Sequence, residues 1–122
     1  MSNEKTIVGI IDDDPEIRIA MARLLSVFGY GAETFDSAQT FLVCVSTSKA
    51  TCLLVDIQLG DISGIELAHK LAADGFKFPI IFMTGVNDVV IRSQAAAAGG
   101  IAFLHKPFPA KKLMDAIKLV IG

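Results

Sequence analysis

A chain of 122 residues, 52% of them apolar, falls in the size range of one domain with one real core and leaves no room for a second. A net charge of −2, with no segment where Lys and Arg cluster, excludes charge-driven steering toward nucleic acid, so any DNA contact would belong to another domain or chain. The opening MSNEKTIVGI lacks a basic leader before a long apolar stretch, and apolar runs such as residues 52–55 and 79–83 fall far short of the roughly 20 needed to cross a bilayer. A cytoplasmic protein without membrane contact is expected.

Short apolar, β-rich runs alternate with helical periodicity, the signature of a parallel sheet wrapped by helices. Residues 6–11 read as the first strand. A helix follows from Asp14-Pro15, where Asp is a good N-cap and Pro fits the first turn. Its apolar face, Ile17, Ala20, Met21, Leu24, Leu25 and Phe28, repeats at three and four, and Gly29 and Gly31 stop it. Residues 32–35 form the second strand, and Ser37 caps a helix through Phe41 and Leu42 to about residue 45.

The third strand, 51–57, is nearly all apolar until Asp56, which predicts a central strand covered on both faces. A loop over 58–63 leads to a helix over 64–73, a fourth strand over 78–83 and a helix over 87–98. Gly99-Gly100 ends that helix, 101–104 make the last strand, and a final helix over about 109–121 carries Leu113, Ile117, Val120 and Ile121. The pattern predicts an α/β fold, a single domain over 1–122, with right-handed crossovers. Helices would cover both faces of a flavodoxin-like five-stranded parallel sheet in the order 2-1-3-4-5.

In that order the ligand crevice lies between strands one and three, outside the carboxyl ends of the strands. Asp12 and Asp13 close strand one, Asp56 closes strand three, Thr84 closes strand four, and Lys106 follows strand five. Three close carboxylates repel, so either one stays protonated or a divalent cation neutralises them. An all-oxygen set suits Mg²⁺, which binds through a few carboxylates, waters and a phosphate. A lysine and a hydroxyl opposite would hold phosphoryl oxygens, in a site where positioning and charge do most of the catalysis.

Each residue also has a plainer reading: a solvated acidic loop, a turn residue, a strand-end hydroxyl, a surface lysine. For an acidic triplet alone that reading prevails, and Asp14 keeps it as a helix cap. The conjunction of five strand-end residues is what favours a site. Cys44 and Cys52 read as small buried hydrophobes, and His69 and His105 have no partner at zinc-ligand spacing.

The strings GIIDDDPEIR, LLVDIQLGDISG, FMTG and FLHKPF, in this order and spacing, resemble the receiver domains of two-component response regulators. The resemblance implies that a sensor histidine kinase phosphorylates Asp56, and that Asp12 or Asp13, Asp56 and the backbone carbonyl of Gln58 hold Mg²⁺. It implies that Thr84 and Lys106 contact the phosphoryl group, that the Lys106-Pro107 peptide is cis, and that Thr84 and Phe103 form a switch. Such a domain is a phosphoacceptor with slow self-catalysed phosphoryl transfer and dephosphorylation, rather than an enzyme. Its output face, helix 4, strand 5 and helix 5, would act on an output domain or downstream protein, or form a homodimer when phosphorylated. The TGVND stretch most resembles receivers joined to a helix-turn-helix DNA-binding domain. Gly60 departs from the pattern, standing where such loops usually carry proline, and Gly85 is the small residue after the threonine.

Other functions fit less well. A haloacid-dehalogenase-like phosphatase needs a second Asp where Gln58 stands, and in a flavodoxin the acidic DDDPE loop would repel the flavin phosphate. A phosphorylation-independent interaction module on the same fold would have no use for the complete set of site residues.

Overall fold

Alternating strands and helices build the sheet in the computed structural model, which describes residues 6–121; the outermost positions of the expected 1–122 domain lie outside the described residues. The elements are β1 (Ile7–Ile11), α1 (Pro15–Val27), β2 (Gly31–Phe35), α2 (Ala38–Cys44), β3 (Cys52–Asp56), α3 (Gly64–Ala73), β4 (Ile80–Thr84), α4 (Val89–Ala97), β5 (Gly100–His105) and α5 (Ala110–Ile121). All strands pair in parallel in the expected order β2-β1-β3-β4-β5.

Period-two alternation sends each central strand's side chains to two cores. Ile11, Leu53, Val55 and Phe82 pack under Phe41 of α2, Leu67 and Leu71 of α3 and Ala95 of α4. Val8, Ile10, Leu54, Ile81 and Met83 pack under Leu25 of α1 and Leu113 and Ile117 of α5. Every residue of β3 and β4 is buried, which is why both read as unbroken apolar runs before their terminal polar residue. Cys52 sits in the second core, where burial pushes its thiol up to about 11, and Cys44 is half-buried against the first.

Caps set the helix starts. Asp14 accepts from the Glu16 amide, Ser37 from that of Thr40, and Ser63 and Glu66 form a reciprocal capping box. Asp88 caps α4, so that helix begins at Val89, later than the expected 87. Strand β4 begins at Ile80 rather than residue 78, because Pro79 has no N–H to give the ladder and Phe78 instead packs its ring 5.7 Å from that of Phe41. Gly100 opens β5, earlier than the expected 101. A Cβ there would come within 2.6 Å of the Phe82 ring, so only glycine lets the strand close on β4.

The apolar stripe of α1 is narrower than its sequence suggested. Ile17, Met21, Leu24 and Leu25 face the core, but Ala20 at the edge of the stripe and Phe28 at the C-cap, past the last helical turn, are exposed. Ile121 is likewise exposed on the final turn of α5, where Met114 and Ala116 complete the buried face.

Candidate functional site

The carboxyl ends of β1, β3, β4 and β5 bring together most of the residues singled out above. Asp12 follows β1 directly, tied to the sheet by its amide on the Phe35 carbonyl at 3.2 Å. Its side chain is fully buried. Oδ1 accepts from the Asp14 amide at 2.9 Å, Oδ2 accepts from Lys106 Nζ at 2.9 Å, and the backbone carbonyl accepts from Arg18 Nη1 at 2.8 Å. Arg18 is a supporting residue that the sequence did not single out. It lies one helical turn past the Asp14 cap, and nothing in its local pattern marks it.

Asp56 ends β3, only 5% exposed, with Oδ1 accepting from the Gln58 amide at 3.2 Å and Oδ2 lying 3.3 Å from Lys106 Nζ. The helix α3 can start immediately beneath it because its first residue is Gly64. A Cβ there would stand 2.5 Å from the Asp56 carbonyl oxygen. Asp12, Asp13 and Asp56 each offer one carboxylate oxygen, all within 4.8 Å of one another, with Asp13 on the solvent side. A compact, all-carboxylate donor set with one open side fits a hard divalent cation such as Mg²⁺.

The charges in this cluster are strongly coupled. Burial pushes the Asp56 carboxyl above the ordinary carboxylate value. The Lys106 ammonium pulls it down, the Asp12 carboxylate adds to the rise, and burial prevails. For Lys106, burial alone would lower the ammonium, but its bond to Asp12 and the charges of Asp56 and Asp12 outweigh that and hold it above the ordinary lysine value. The Lys106 amide donates to the Thr84 carbonyl at 2.8 Å, and the Lys106-Pro107 peptide is cis, as the resemblance implied.

Thr84, fully buried at the end of β4, turns its hydroxyl toward the loop after β3. It donates to Gln58 Oε1 at 2.6 Å and accepts from the Val86 amide at 3.1 Å. The family resemblance implies only a backbone role for Gln58, and the fold adds this side-chain contact. Phe103 packs on the first core while its neighbour Leu104 packs on the second, in keeping with strand alternation. The Arg92 guanidinium of α4 lies 5.0 Å from the centre of the Phe103 ring.

The loop after Asp56 is also fastened at its far end. Asp61 accepts from the amides of Ala38 and Gln39 at the start of α2, at 3.4 and 2.9 Å. Desolvation tends to raise its carboxyl, but the amides of Gln39, Ile62 and Ala38 outweigh it and hold the group below the ordinary value. No local signal in the sequence points to this contact, whose partners lie 23 and 22 residues away.

Known proteins resemble this chain in sequence and in fold. A model of the response regulator receiver domain family matches residues 8–118. The response regulator protein TodT of Pseudomonas putida is 33% identical over 121 residues, covering 99% of this chain and 53% of its own length. The transcriptional regulatory protein FixJ of Bradyrhizobium diazoefficiens is 36% identical over 112 residues, covering 92% of this chain and 55% of its own. The crystal structure of full-length FixJ from B. japonicum superposes with a TM-score of 0.90 at 34% identity, covering 98% of this chain and 59% of that one. The chain thus spans about half the length of the curated relatives it matches. With the family model covering all five strand ends, and the acidic crevice lying where the strand order reverses, the chain belongs to the response regulator receiver domain family.

Proposed function

We propose that Asp56 accepts a phosphoryl group from the phosphohistidine of a sensor kinase and that the acyl phosphate switches the face formed by α4, β5 and α5. The observation that carries this reading is the cluster itself, in which Asp12, Asp13 and Asp56 converge and the Lys106 ammonium lies between Asp12 and Asp56. A module used only for protein contact gains nothing from burying Asp12 and Asp56 beside each other, because buried like charges destabilise the fold.

An Asp56 oxygen attacks phosphorus, the P–N bond of the phosphoimidazole breaks, and the imidazole leaves with its electron pair and takes a proton. Mg²⁺, held by Asp12, Asp13, Asp56 and the Gln58 backbone carbonyl, would neutralise charge as carboxylate and phosphoryl oxygens meet. Lys106 then turns its ammonium to a phosphoryl oxygen, and Thr84 supplies its hydroxyl to another. Slow attack of water on phosphorus regenerates Asp56, which makes the domain a self-resetting switch rather than an enzyme with a separate substrate.

The proposed partners are a sensor histidine kinase, a second phosphorylated copy of the chain, and an output domain or downstream protein. Relatives about twice as long, one of them named a transcriptional regulatory protein, support an output in transcription carried by a further domain, and the TGVND stretch favours one of the helix-turn-helix type. DNA would be touched by that domain and not by this one, given the net charge of −2. The proposed setting is the cytoplasm, and no helix among the described residues is long and apolar enough to cross a membrane. Intact mass after incubation with acetyl phosphate and Mg²⁺ tests the reading: a gain of one phosphoryl group that Asp56→Asn abolishes supports it, and undiminished uptake by that variant overturns it.

A further inference from the structure

The bond between Thr84 and Gln58 bears on how the switch is set, given the reading of Asp56 as phosphoacceptor. A threonine hydroxyl has a single proton to donate. Here that proton is committed to Gln58 Oε1 at 2.6 Å, and the hydroxyl oxygen is engaged by the Val86 amide at 3.1 Å. Thr84 is fully buried, so a hydroxyl that let go of Gln58 would need another acceptor at once. The phosphoryl oxygen proposed on Asp56 is such an acceptor, and its charge makes it the stronger one.

We propose that the Gln58 side chain competes with the phosphoryl group for the Thr84 proton, and so sets how readily the acyl phosphate engages the switch. The Gln58 side chain acts here as a positioning group, through Thr84, while the residue's backbone amide separately donates to Asp56 Oδ1. Its place in the chain suits this role. It stands two residues after Asp56, at the head of the β3–α3 loop, and Thr84 and Val86 lead into the loop before α4. One hydrogen bond across 26 residues of sequence therefore ties the loop beside the phosphoacceptor to the loop that leads to the output face. The acceptor is an amide carbonyl on an exposed residue, so it can swing into water when the proton leaves.

Removing the competitor should tighten binding of a phosphoryl mimic. Beryllofluoride is the probe, titrated with Mg²⁺ present and followed by ¹⁹F NMR on wild type, Gln58→Met, Thr84→Ala and the double variant. Gln58→Met keeps the length of the side chain and removes the acceptor, and should bind three- to tenfold tighter, about the worth of one net hydrogen bond. In the Thr84→Ala background the same change should shift affinity less than about twofold, because no proton is left to compete for. Gln58→Asn, one methylene shorter, should behave as Gln58→Met. An unchanged or weaker affinity in Gln58→Met, or an equal gain with and without Thr84, overturns the proposal. Wild type that binds no beryllofluoride, or Asp56→Asn that binds it as well as wild type, sinks the phosphoacceptor reading and takes this inference with it.

Discussion

Lys106, following the last strand, donates to Asp12 at the end of the first across 94 residues of sequence, Nζ to Oδ2 at 2.9 Å. It is the direct counter-charge of a carboxylate with no exposed surface. Lys106→Met leaves Asp12 and Asp56 facing each other without it, and should destabilise the Mg²⁺-free protein by about 1–3 kcal/mol. Saturating Mg²⁺ should recover part of that loss, since a divalent cation neutralises the same oxygens. Urea unfolding of both proteins with Mg²⁺ and with EDTA measures it, and equal losses in both buffers would show that Lys106 and the metal do not share the cluster.

Asp56→Asn should raise stability in Mg²⁺-free buffer at neutral pH by about 1 kcal/mol, the scale of relief found when an unfavourable functional group is neutralised. The sign follows from burial, which holds the folded carboxyl above its unfolded value. Between those two values the folded protein binds more protons than the unfolded chain, so the contribution of Asp56 to stability rises as pH falls through that window and is lowest above it. The advantage of the variant should therefore shrink as pH drops toward the ordinary carboxylate range. An advantage independent of pH from neutral down to that range would separate it from the titration of Asp56.

Calorimetry should find weak Mg²⁺ binding by the unphosphorylated protein, because carboxylates and water supply most of the ligands. Replacing both Asp12 and Asp13 by Ala should remove it. Asp13→Ala alone, which deletes the ligand on the solvent side and leaves the buried one, should weaken binding by about tenfold, roughly 1.4 kcal/mol. Binding that survives the double replacement would mean the acidic pair is structural.

Phe103 should mark the switched state. The Arg92 guanidinium over its ring is worth about 0.5–1 kcal/mol, so Arg92→Ala should shift the resting population of ring positions by roughly two- to fivefold. In the beryllofluoride-treated protein Thr84 should move toward the mimic, the Phe103 ring should turn inward, and the α4-β5-α5 face should support a symmetric dimer. Aromatic NMR of Phe103 and sedimentation of treated and untreated samples provide the check. The switch is disproved by a treated sample that matches the untreated one in both.

The alternation of short apolar strands with capped helices is local information, and it sufficed to place Asp12, Asp13, Asp56, Thr84 and Lys106 at strand ends. A polar residue closing an otherwise buried strand stands out against its own neighbours, and the parallel topology does the rest by putting those ends on one edge. Helix starts were legible for the same reason, since a cap such as Asp14 or Ser37 bonds within its own turn. Side-chain partners were a different matter. Lys106 lies closer to Asp12 than to Asp56, Gln58 reaches Thr84 with its side chain, Arg92 covers Phe103 and Asp61 caps α2. All of these contacts join residues more than ten apart in sequence, and all depend on where loops and rotamers come to rest once the sheet has closed. Hydrophobic period and cap chemistry constrain the backbone, but they leave those long-range distances open, and only the packed tertiary structure resolves which oxygen each donor meets.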